Sequence, residues 1–477
     1  MDNWLKKRAA LSPDQIGLYA GEDNVWTFRE MESEAAELAE KIAPLIKNQD
    51  PVALLISNQP HAVFLIHALQ KIRVPVLMLN HRLSQKEWAY QLSDSKAQLV
   101  IYEDQFAVKA DRAVSVNELK SGERQQVQSF EHEDVCSIMY TSGTTGNPKG
   151  VMQTYDNHFA SAAGAAFNIG HQPDDIWMCA VPLFHISGYS ILMRSVIYGI
   201  GVRLYEKFDE HMIHEDLVSG KGSIISVVTT MLQRLLDVKN ETYHPFFRCM
   251  ILGGGPAPLH IVERCHNERI PVYQSYGMTE TSSQFTTLAP ADADRKKGAS
   301  GKPLFPGELK IVDEQGDRCE TGEIGEILVK GPSVTKGYLN NESATEKAFS
   351  EGWLKTGDVG YLDDEGFLFV ADRRSDLIIS GGENVYPAEI ESVLAGHPAV
   401  KEAGVVGQKD NRWGEVPVAF IVLIDQVKEE SLHDFLKERL AGYKVPKTFR
   451  FKDELPRNAA GKLLRRKLKE EVIDESF

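Results

Sequence analysis

Tyr140-Thr141-Ser142-Gly143-Thr144-Thr145-Gly146-Asn147-Pro148-Lys149-Gly150 follows directly on the apolar run Val135–Met139. Four Ser/Thr hydroxyls, three glycines and one lysine fall within these eleven positions. Glycine lets a main chain approach an anion closely, and successive backbone N–H groups and hydroxyls then wrap its oxygens. The pattern is that of a polyphosphate-binding loop, but not a Walker A loop, because Pro148 precedes Lys149 and no Ser or Thr follows it. Val151–Gln153 reads as a further strand before a helix from about Asp156. The loop is therefore expected to be a mobile connection between strands, not the start of a helix. Read alone, it could also be a polar surface turn.

Around this loop, helical and strand spacing alternate up to about residue 370. Phe28–Ile46 has helical spacing, Val52–Ile56 is a buried-strand run, His61–Lys71 is again helical and Val74–Leu79 is a strand. Such alternation predicts parallel sheets covered by helices. Glu326–Val329 reads as a strand, and Gly360–Leu362 with Phe367–Ala371 as a β-hairpin across Asp363–Gly366. Beyond Asp372 the texture becomes mixed. Pro387 suits the first turn of a helix, Ala403–Val406 and Val418–Leu423 read as strands, and Ser431–Leu440 as an amphipathic helix with Ser431 as its N-cap. Two domains are predicted, 1–372 and 373–477, with the boundary near Asp372–Asp376.

The chain has 477 residues, too many for one ordinary core. With 42% hydrophobic and 25% charged residues it is globular in makeup. A net charge of −15 argues against a nucleic-acid partner, which needs a basic face, but leaves room for a local basic pocket. Cys136, Cys179, Cys249, Cys265 and Cys319 are odd in number and lack C-x-x-C spacing, as expected of reduced thiols. Met1–Arg8 lacks an apolar signal core, and the longest apolar stretch, Ser187–Val202, is broken by Arg194 and too short to span a bilayer. A cytoplasmic protein without a membrane span is expected.

Further stretches acquire meaning beside the loop. Gly253-Gly254-Gly255-Pro256 follows the strand Cys249–Leu252, at the carboxyl end where α/β sheets bind ligands. Ser275-Tyr276-Gly277-Met278-Thr279-Glu280 combines an aromatic ring, a flexible glycine, hydroxyls and a carboxylate. Glu280 could hold Mg²⁺ against nucleotide phosphates, since that ion prefers one or two carboxylates plus phosphate oxygens. Asp358 could accept two ribose hydroxyls, and Arg373 could sit beside the nucleotide. Each taken singly is equally readable as a solvated side chain or an ordinary turn.

Taken in this order, the motifs resemble the adenylate-forming superfamily: acyl-CoA synthetases, peptide-synthetase adenylation domains and luciferases. The likeness runs from the phosphate loop through Ser275–Glu280 and Gly352–Asp358 to Gly381-Gly382-Glu383-Asn384-Val385-Tyr386-Pro387 and Lys462. It implies an α/β and α+β fold: a large N-terminal part of parallel-type sheets under helices with a β-barrel-like subdomain, and a small mobile α+β C-terminal lid. It implies a carboxylate joined to AMP and then passed to a thiol, with ATP, Mg²⁺ and CoA.

The roles it implies are specific. Thr141, Ser142, Gly143, Thr144, Thr145, Gly146 and Lys149 would enclose phosphates. Gly254, Gly255, Pro256, Ser275, Tyr276, Gly277, Thr279, Asp358 and Arg373 would complete the ATP site, with Glu280 near the metal. Lys462, His185 and Thr279 would act at the reacting carboxylate. Gly381, Gly382 and Glu383 would line the CoA tunnel after the lid turns about Arg373–Asp376. Ser375 stands where many relatives carry Lys or Asp.

Val181–Gly188 leads into the apolar stretch Tyr189–Ile200, interrupted by Arg194. A buried guanidinium is costly unless an anion meets it. The candidate anion is a second carboxylate on the substrate, with His185, Ser187, Thr229 and Ser283 as polar neighbours; the competing reading of Arg194 is an internal salt bridge. Leu183–Gly188, Leu252–Leu259, Gln274–Thr281 and Leu455–Leu464 resemble the bacterial CoA ligases of menaquinone biosynthesis. That likeness implies an aromatic dicarboxylic acid as partner. Another acyl-CoA or aryl-CoA ligase would share the catalytic motifs and differ in the pocket. Loading of a carrier protein and a non-catalytic nucleotide-binding role are the remaining alternatives. A homodimer is compatible with the family, although no stretch of sequence specifies one.

Overall fold

The computed structural model describes residues 3–106, 108, 110–120, 129–141, 148–255, 259–373, 376–380, 383–410, 413–440, 442–457 and 463–473, of which 372, 373, 379, 383, 384, 414 and 473 are described by backbone alone. Two large sheets, one half-barrel and one small sheet account for the strands.

The six-stranded sheet has the order Ala113–Ser115, Leu99–Tyr102, Val52–Leu55, Val76–Met78, Val135–Thr141 and Lys149–Thr154. Its pairings are parallel except for the last, which is an antiparallel hairpin. Val52–Leu55 is apolar at every position and buried on both faces, as a central parallel strand must be. Pro60–Lys71 starts with proline at its first turn and is buried from Ala62 onward, so it lies inside the molecule as a core helix.

The nine-stranded sheet runs Lys302–Pro303, Ser283–Leu288, Val272–Met278, Cys249–Gly253, Ile224–Val228, Ile176–Cys179, Gly201–Leu204, Ile16–Ala20 and Asn24–Thr27. The five strands Val272–Met278, Cys249–Gly253, Ile224–Val228, Ile176–Cys179 and Gly201–Leu204 are mutually parallel. Their carboxyl ends therefore lie along one edge, where connecting segments can gather around a ligand. One continuous apolar cluster, including Phe64, Leu65, Trp177 and Tyr189, joins both large sheets.

The half-barrel is antiparallel: Glu308–Val312, Gly325–Lys330, Trp353–Leu362 and Phe349–Ser350, with Leu368–Arg373 also on Trp353–Leu362. It contains the hairpin expected across Asp363–Gly366. The small sheet is Glu383–Val385, Ile378–Ser380, Gly414–Leu423 and Val400–Asp410, with Thr448–Phe451 on Gly414–Leu423. Its cores draw only on residues from Ile378 onward.

Several boundaries differ from the sequence reading by a few residues, Val74–Leu79 shortening to Val76–Met78 and Ala403–Val406 lengthening to Val400–Asp410, and one moves a cap. The helix expected at Ser431–Leu440 spans Glu429–Lys437, with Lys428 rather than Ser431 at its N-cap. Glu429 and Glu430 open the first turn, where carboxylates favour the positive end of the helix dipole. That places Ser431 inside the helix, its N–H donating to the Lys428 carbonyl.

Candidate active site

The candidate phosphate loop lies between the two paired strands of a β-hairpin. Thr141 and Lys149 face each other as the last pair of Val135–Thr141 against Lys149–Thr154. Ser142, Gly143, Thr144, Thr145 and Gly146 lie outside the described residues, but both their flanks are fixed. Asp94 accepts from the Tyr140 hydroxyl at 2.6 Å, and Tyr90 donates to the Pro148 carbonyl at 3.2 Å. The expectation of a strand-flanked loop holds. The helix that follows, Tyr155–Ile169, begins only after Thr154, whose side chain closes a capping box with Asn157.

The candidate nucleotide end lies on two neighbouring parallel strands. Cys249–Gly253 and Val272–Met278 bring Gly254, Gly255, Ser275, Tyr276 and Gly277 to the same edge. Gly254 has φ +82°, a conformation that favours glycine. A Cβ on Gly277 would stand 2.0 Å from the Ser283 carbonyl oxygen, so no side chain fits there. Tyr276 donates its hydroxyl to Asp358 Oδ2 at 2.9 Å, linking the sheet edge to the half-barrel strand Trp353–Leu362. Asp358 is directly opposite Arg373 in that ladder. This pairing extends the hairpin expected across Asp363–Gly366, whereas the Tyr276–Asp358 contact spans 82 positions and leaves no local signal. Pro256 lies outside the described residues, and Arg373 is described by backbone alone.

Thr279–Thr281 forms a tight turn at the end of Val272–Met278. Glu280 is only 5% exposed, and its carboxylate accepts from the Tyr338 hydroxyl at 3.1 Å. A buried carboxylate next to a phosphate loop fits a hard divalent cation, which takes oxygen donors from carboxylate and phosphate together. Among the described residues no group of three or more His, Cys, Asp or Glu side chains could cage a metal by itself. Mg²⁺ would therefore be held by Glu280 jointly with nucleotide oxygens. Behind this turn runs a buried relay of hydrogen bonds. Gln153 Nε2 donates to the Thr279 carbonyl at 3.1 Å, Ser137 donates to Gln153 Oε1 at 2.9 Å, and His158 Nε2 lies 2.9 Å from Ser137 Oγ. Because Ser137 spends its proton on Gln153, His158 must supply the proton of the last bond. Neither Tyr338 nor this relay is marked by any motif; only the fold brings them to Glu280.

His185 caps the helix Ile186–Tyr198, which also carries Ser187, at the carboxyl edge of the sheet. Its Nε2 is buried without a hydrogen-bond partner, and burial pulls its pKa down to about 4. Thr229 opens the helix Thr229–Val238 directly after Ile224–Val228, and Ser283 starts the strand paired with Met278. These residues gather along the ligand edge. Arg194 lies two turns further along its helix, 2% exposed, 5.2 Å from the Trp177 ring and 3.4 Å from Ser161 Oγ. Ser161 in turn donates to the Ser282 carbonyl at 2.7 Å, one residue from Ser283. No described carboxylate pairs with Arg194, and its Nε has no hydrogen-bond acceptor. The internal salt bridge weighed from sequence is absent among the described residues. Burial lowers the Arg194 pKa, because desolvation disfavours the charged guanidinium.

Burial likewise lowers His67 to about 4 and His158 to about 3, the latter with help from Arg194. These histidines and His185 are neutral in the folded chain but take up protons below pH 6.5 once unfolded. The unfolded state then binds more protons, so stability is lost as the pH is lowered through this range. Thermal unfolding followed by circular dichroism should show a midpoint that drops steadily between pH 6.5 and 4.5. A flat midpoint across that window would contradict the assignment of neutral buried imidazoles.

In the small sheet, Glu383 begins Glu383–Val385, described there by backbone alone, while Gly381, Gly382 and the hinge position Ser375 lie outside the described residues. Lys462 also lies outside them, yet its flanks are placed: Arg457 and Leu463 form an antiparallel bridge, and Leu464 N–H donates to the Pro456 carbonyl at 2.8 Å. All five cysteines are free, and burial pushes the thiols of Cys136, Cys179 and Cys265 up to about 12, so none is a ready nucleophile.

Residues 5–339 match the AMP-binding enzyme family, and residues 389–462 match the AMP-binding enzyme C-terminal domain. The 2-succinylbenzoate–CoA ligase of Listeria monocytogenes is 51% identical over 98% of this chain and 99% of its own. The o-succinylbenzoate CoA synthetase of Bacillus subtilis, solved with the acyl-adenylate intermediate OSB-AMP, superposes with a TM-score of 0.94 at 47% identity, covering 98% of each chain. Its complex with ATP and magnesium ion also gives 0.94 at 47% identity, over 98% of this chain and 99% of that one. Matches to both family models and a full-length likeness of this degree lead to one conclusion: the chain belongs to the AMP-binding enzyme family.

Proposed function

We infer that the chain catalyses ATP-dependent ligation of 2-succinylbenzoate to CoA through an acyl-adenylate, releasing AMP and pyrophosphate, in menaquinone biosynthesis. Near-half identity to 2-succinylbenzoate–CoA ligases over the whole chain supports the reaction. The observation that carries the substrate is Arg194, a buried guanidinium without a described carboxylate partner, as a diacid requires. In the first step an oxygen of the aliphatic carboxylate attacks the α-phosphorus and the bond to pyrophosphate breaks. In the second, the CoA sulfur attacks the acyl carbon, its proton is lost, and AMP leaves.

On this reading Lys149 and the loop Thr141–Gly146 hold the β- and γ-phosphates. Tyr276, Asp358 and Arg373 hold the nucleoside, with the Gly254–Pro256 turn and Ser275–Gly277 beside it. Glu280 holds Mg²⁺, which when bound neutralises phosphate charge. His185 and Thr279 flank the reacting carboxylate, and Lys462 bridges it to the α-phosphate. Arg194 meets the aromatic carboxylate, with Ser187, Thr229 and Ser283 as polar neighbours. The segment 373–477 acts as a lid that withdraws Lys462 and brings Gly381, Gly382 and Glu383 beside the CoA arm. No described helix is long and apolar enough to cross a membrane. A cytoplasmic location and a homodimer complete the proposal, the latter testable by light scattering of the purified chain.

The test is thioester formation with ATP, Mg²⁺ and CoA, comparing 2-succinylbenzoate with benzoate, a medium-chain fatty acid and 4-coumarate. Strong preference for the diacid is expected. Activity with a monoacid alone would keep the two-step chemistry and discard the second-carboxylate role of Arg194.

A further inference from the structure

Lys149 and Glu280 are opposite charges at the phosphate end of the site, both on fixed backbone, and Tyr338 touches both. The Lys149 ammonium stands 4.9 Å from the Tyr338 ring centroid, and the Tyr338 hydroxyl donates to Glu280 Oε1 at 3.1 Å. Glu280 is buried, so in this region a direct ammonium–carboxylate contact would be far stronger than in water. Such a contact would spend the lysine needed by phosphate and the carboxylate needed by the metal. The Lys149 ammonium lies over the Tyr338 ring, on the side chain whose hydroxyl reaches Glu280.

The backbone around Tyr338 is built to hold it in place. Tyr338 bridges Val151 on the exit strand of the phosphate hairpin. Leu339 N–H donates to the Gly150 carbonyl at 2.8 Å, and Met152 N–H to the Gly337 carbonyl at 3.2 Å. Thr345 Oγ1 accepts from the Tyr338 N–H at 3.0 Å. Thr335 N–H donates to the Glu280 carbonyl at 2.7 Å, while its hydroxyl donates to the Met152 carbonyl. One short segment therefore fixes the backbones of the phosphate hairpin and of the Glu280 turn relative to each other. The Tyr338 hydroxyl is the donor in its bond to the Glu280 carboxylate.

We propose that Tyr338 is a positioning residue: its ring supports Lys149 and its hydroxyl orients Glu280, so that the lysine is held toward phosphate instead of turning onto the carboxylate. This rests on the assignment of Lys149 and Glu280 to the nucleotide–metal end of the site. A ring face attracts an ammonium without neutralising it, and a neutral hydroxyl orients a carboxylate without discharging it. Either contact is exchangeable when ATP and Mg²⁺ arrive.

Binding of ATP to the full chain, measured by calorimetry across a Mg²⁺ series and with no acid or CoA present, tests this. Tyr338→Phe keeps the ring and loses the hydroxyl. It should raise the Mg²⁺ concentration for half-maximal ATP binding about fivefold, with ATP affinity at saturating Mg²⁺ unchanged. Tyr338→Leu removes the spacer and should weaken ATP binding itself about tenfold, as Lys149 collapses onto Glu280. Adding Glu280→Gln to Tyr338→Leu should recover part of that ATP affinity, because no carboxylate remains to capture the lysine. A mere packing role would not produce this recovery. Unaltered Mg²⁺ dependence in a Tyr338→Phe chain of normal thermal stability would overturn the proposal, whether or not the leucine variant folds. Because no acid enters the assay, failure of the 2-succinylbenzoate assignment would leave this result standing, and the reverse also holds.

Discussion

Lys462→Ala should abolish formation of the acyl-adenylate while largely sparing thioester formation from a supplied adenylate. The reason lies in where charge develops. When a carboxylate attacks the α-phosphorus, negative charge crowds the attacking oxygen and the phosphoryl oxygens, and a preorganised ammonium bridging them stabilises that arrangement above the ground state. Loss of one such donor costs about 10²–10³ in rate, and more where it also draws two anions together. In the second step the thiol must reach the acyl carbon, and a lysine lodged between acyl and phosphate groups would obstruct it. Withdrawal of Lys462 with the proposed lid would resolve that conflict. The flanks of Lys462 are placed: Arg457 and Leu463 form an antiparallel bridge, and the basic helix Arg465–Ile473 follows at once. Arg465 anchors this region to Glu391 and to Asp376 at 3.0 Å, near the expected hinge. The two half-reactions are measured apart, by pyrophosphate exchange for the first and by single turnover of prepared adenylate with CoA for the second. Equal loss in both would sink the division of labour.

Local chemistry explains which features the sequence shows and which it conceals. The phosphate loop is legible because an apolar strand, three glycines and a lysine are consecutive, so no partner is needed to recognise the turn. Pro387 at the first turn of Pro387–Ala395 and the hairpin across Asp363–Gly366 are equally local. Where two local signals compete, the reading slips: Ser431 looks like a cap, yet two glutamates upstream start the helix earlier. Contacts made across elements leave no trace in order or spacing. Tyr338 meets Glu280 from 58 positions away, and Tyr276 meets Asp358 from 82. Arg194 is visible as a charge in an apolar stretch, but that Ser161 and Trp177 are its neighbours depends on how two helices and a sheet pack. The sequence poses the question of its counter-ion; the fold shows that the described chain supplies none.

That absence makes Arg194→Ala the sharpest test of substrate choice. If the aromatic carboxylate is the missing anion, the variant should raise the KM for 2-succinylbenzoate thirtyfold to a thousandfold, from the roughly 2–4 kcal/mol that a buried charged hydrogen-bond pair contributes. The KM for ATP should not move. Omitting the carboxylate from the substrate should mimic the mutation: 3-benzoylpropionate, which keeps the ketone and the aliphatic acid, should be equally poor with both proteins. The two losses should not add, because each removes the same contact. Arg194→Lys should fall between, since an ammonium retains the charge but not the planar fork that fits a carboxylate. Stability offers a second and independent reading. An arginine held by an internal partner would, on truncation, leave that partner uncompensated and lower the unfolding temperature. An arginine buried without a counter-ion is a strain on the empty enzyme, relieved by substrate. Its removal gives up packing against Trp177 but also an unpaired buried charge, so the unfolding temperature of Arg194→Ala should hold or rise even as the diacid ceases to bind. A variant that unfolds earlier and still binds 2-succinylbenzoate normally would return Arg194 to a structural role and leave the diacid preference to other residues of the pocket.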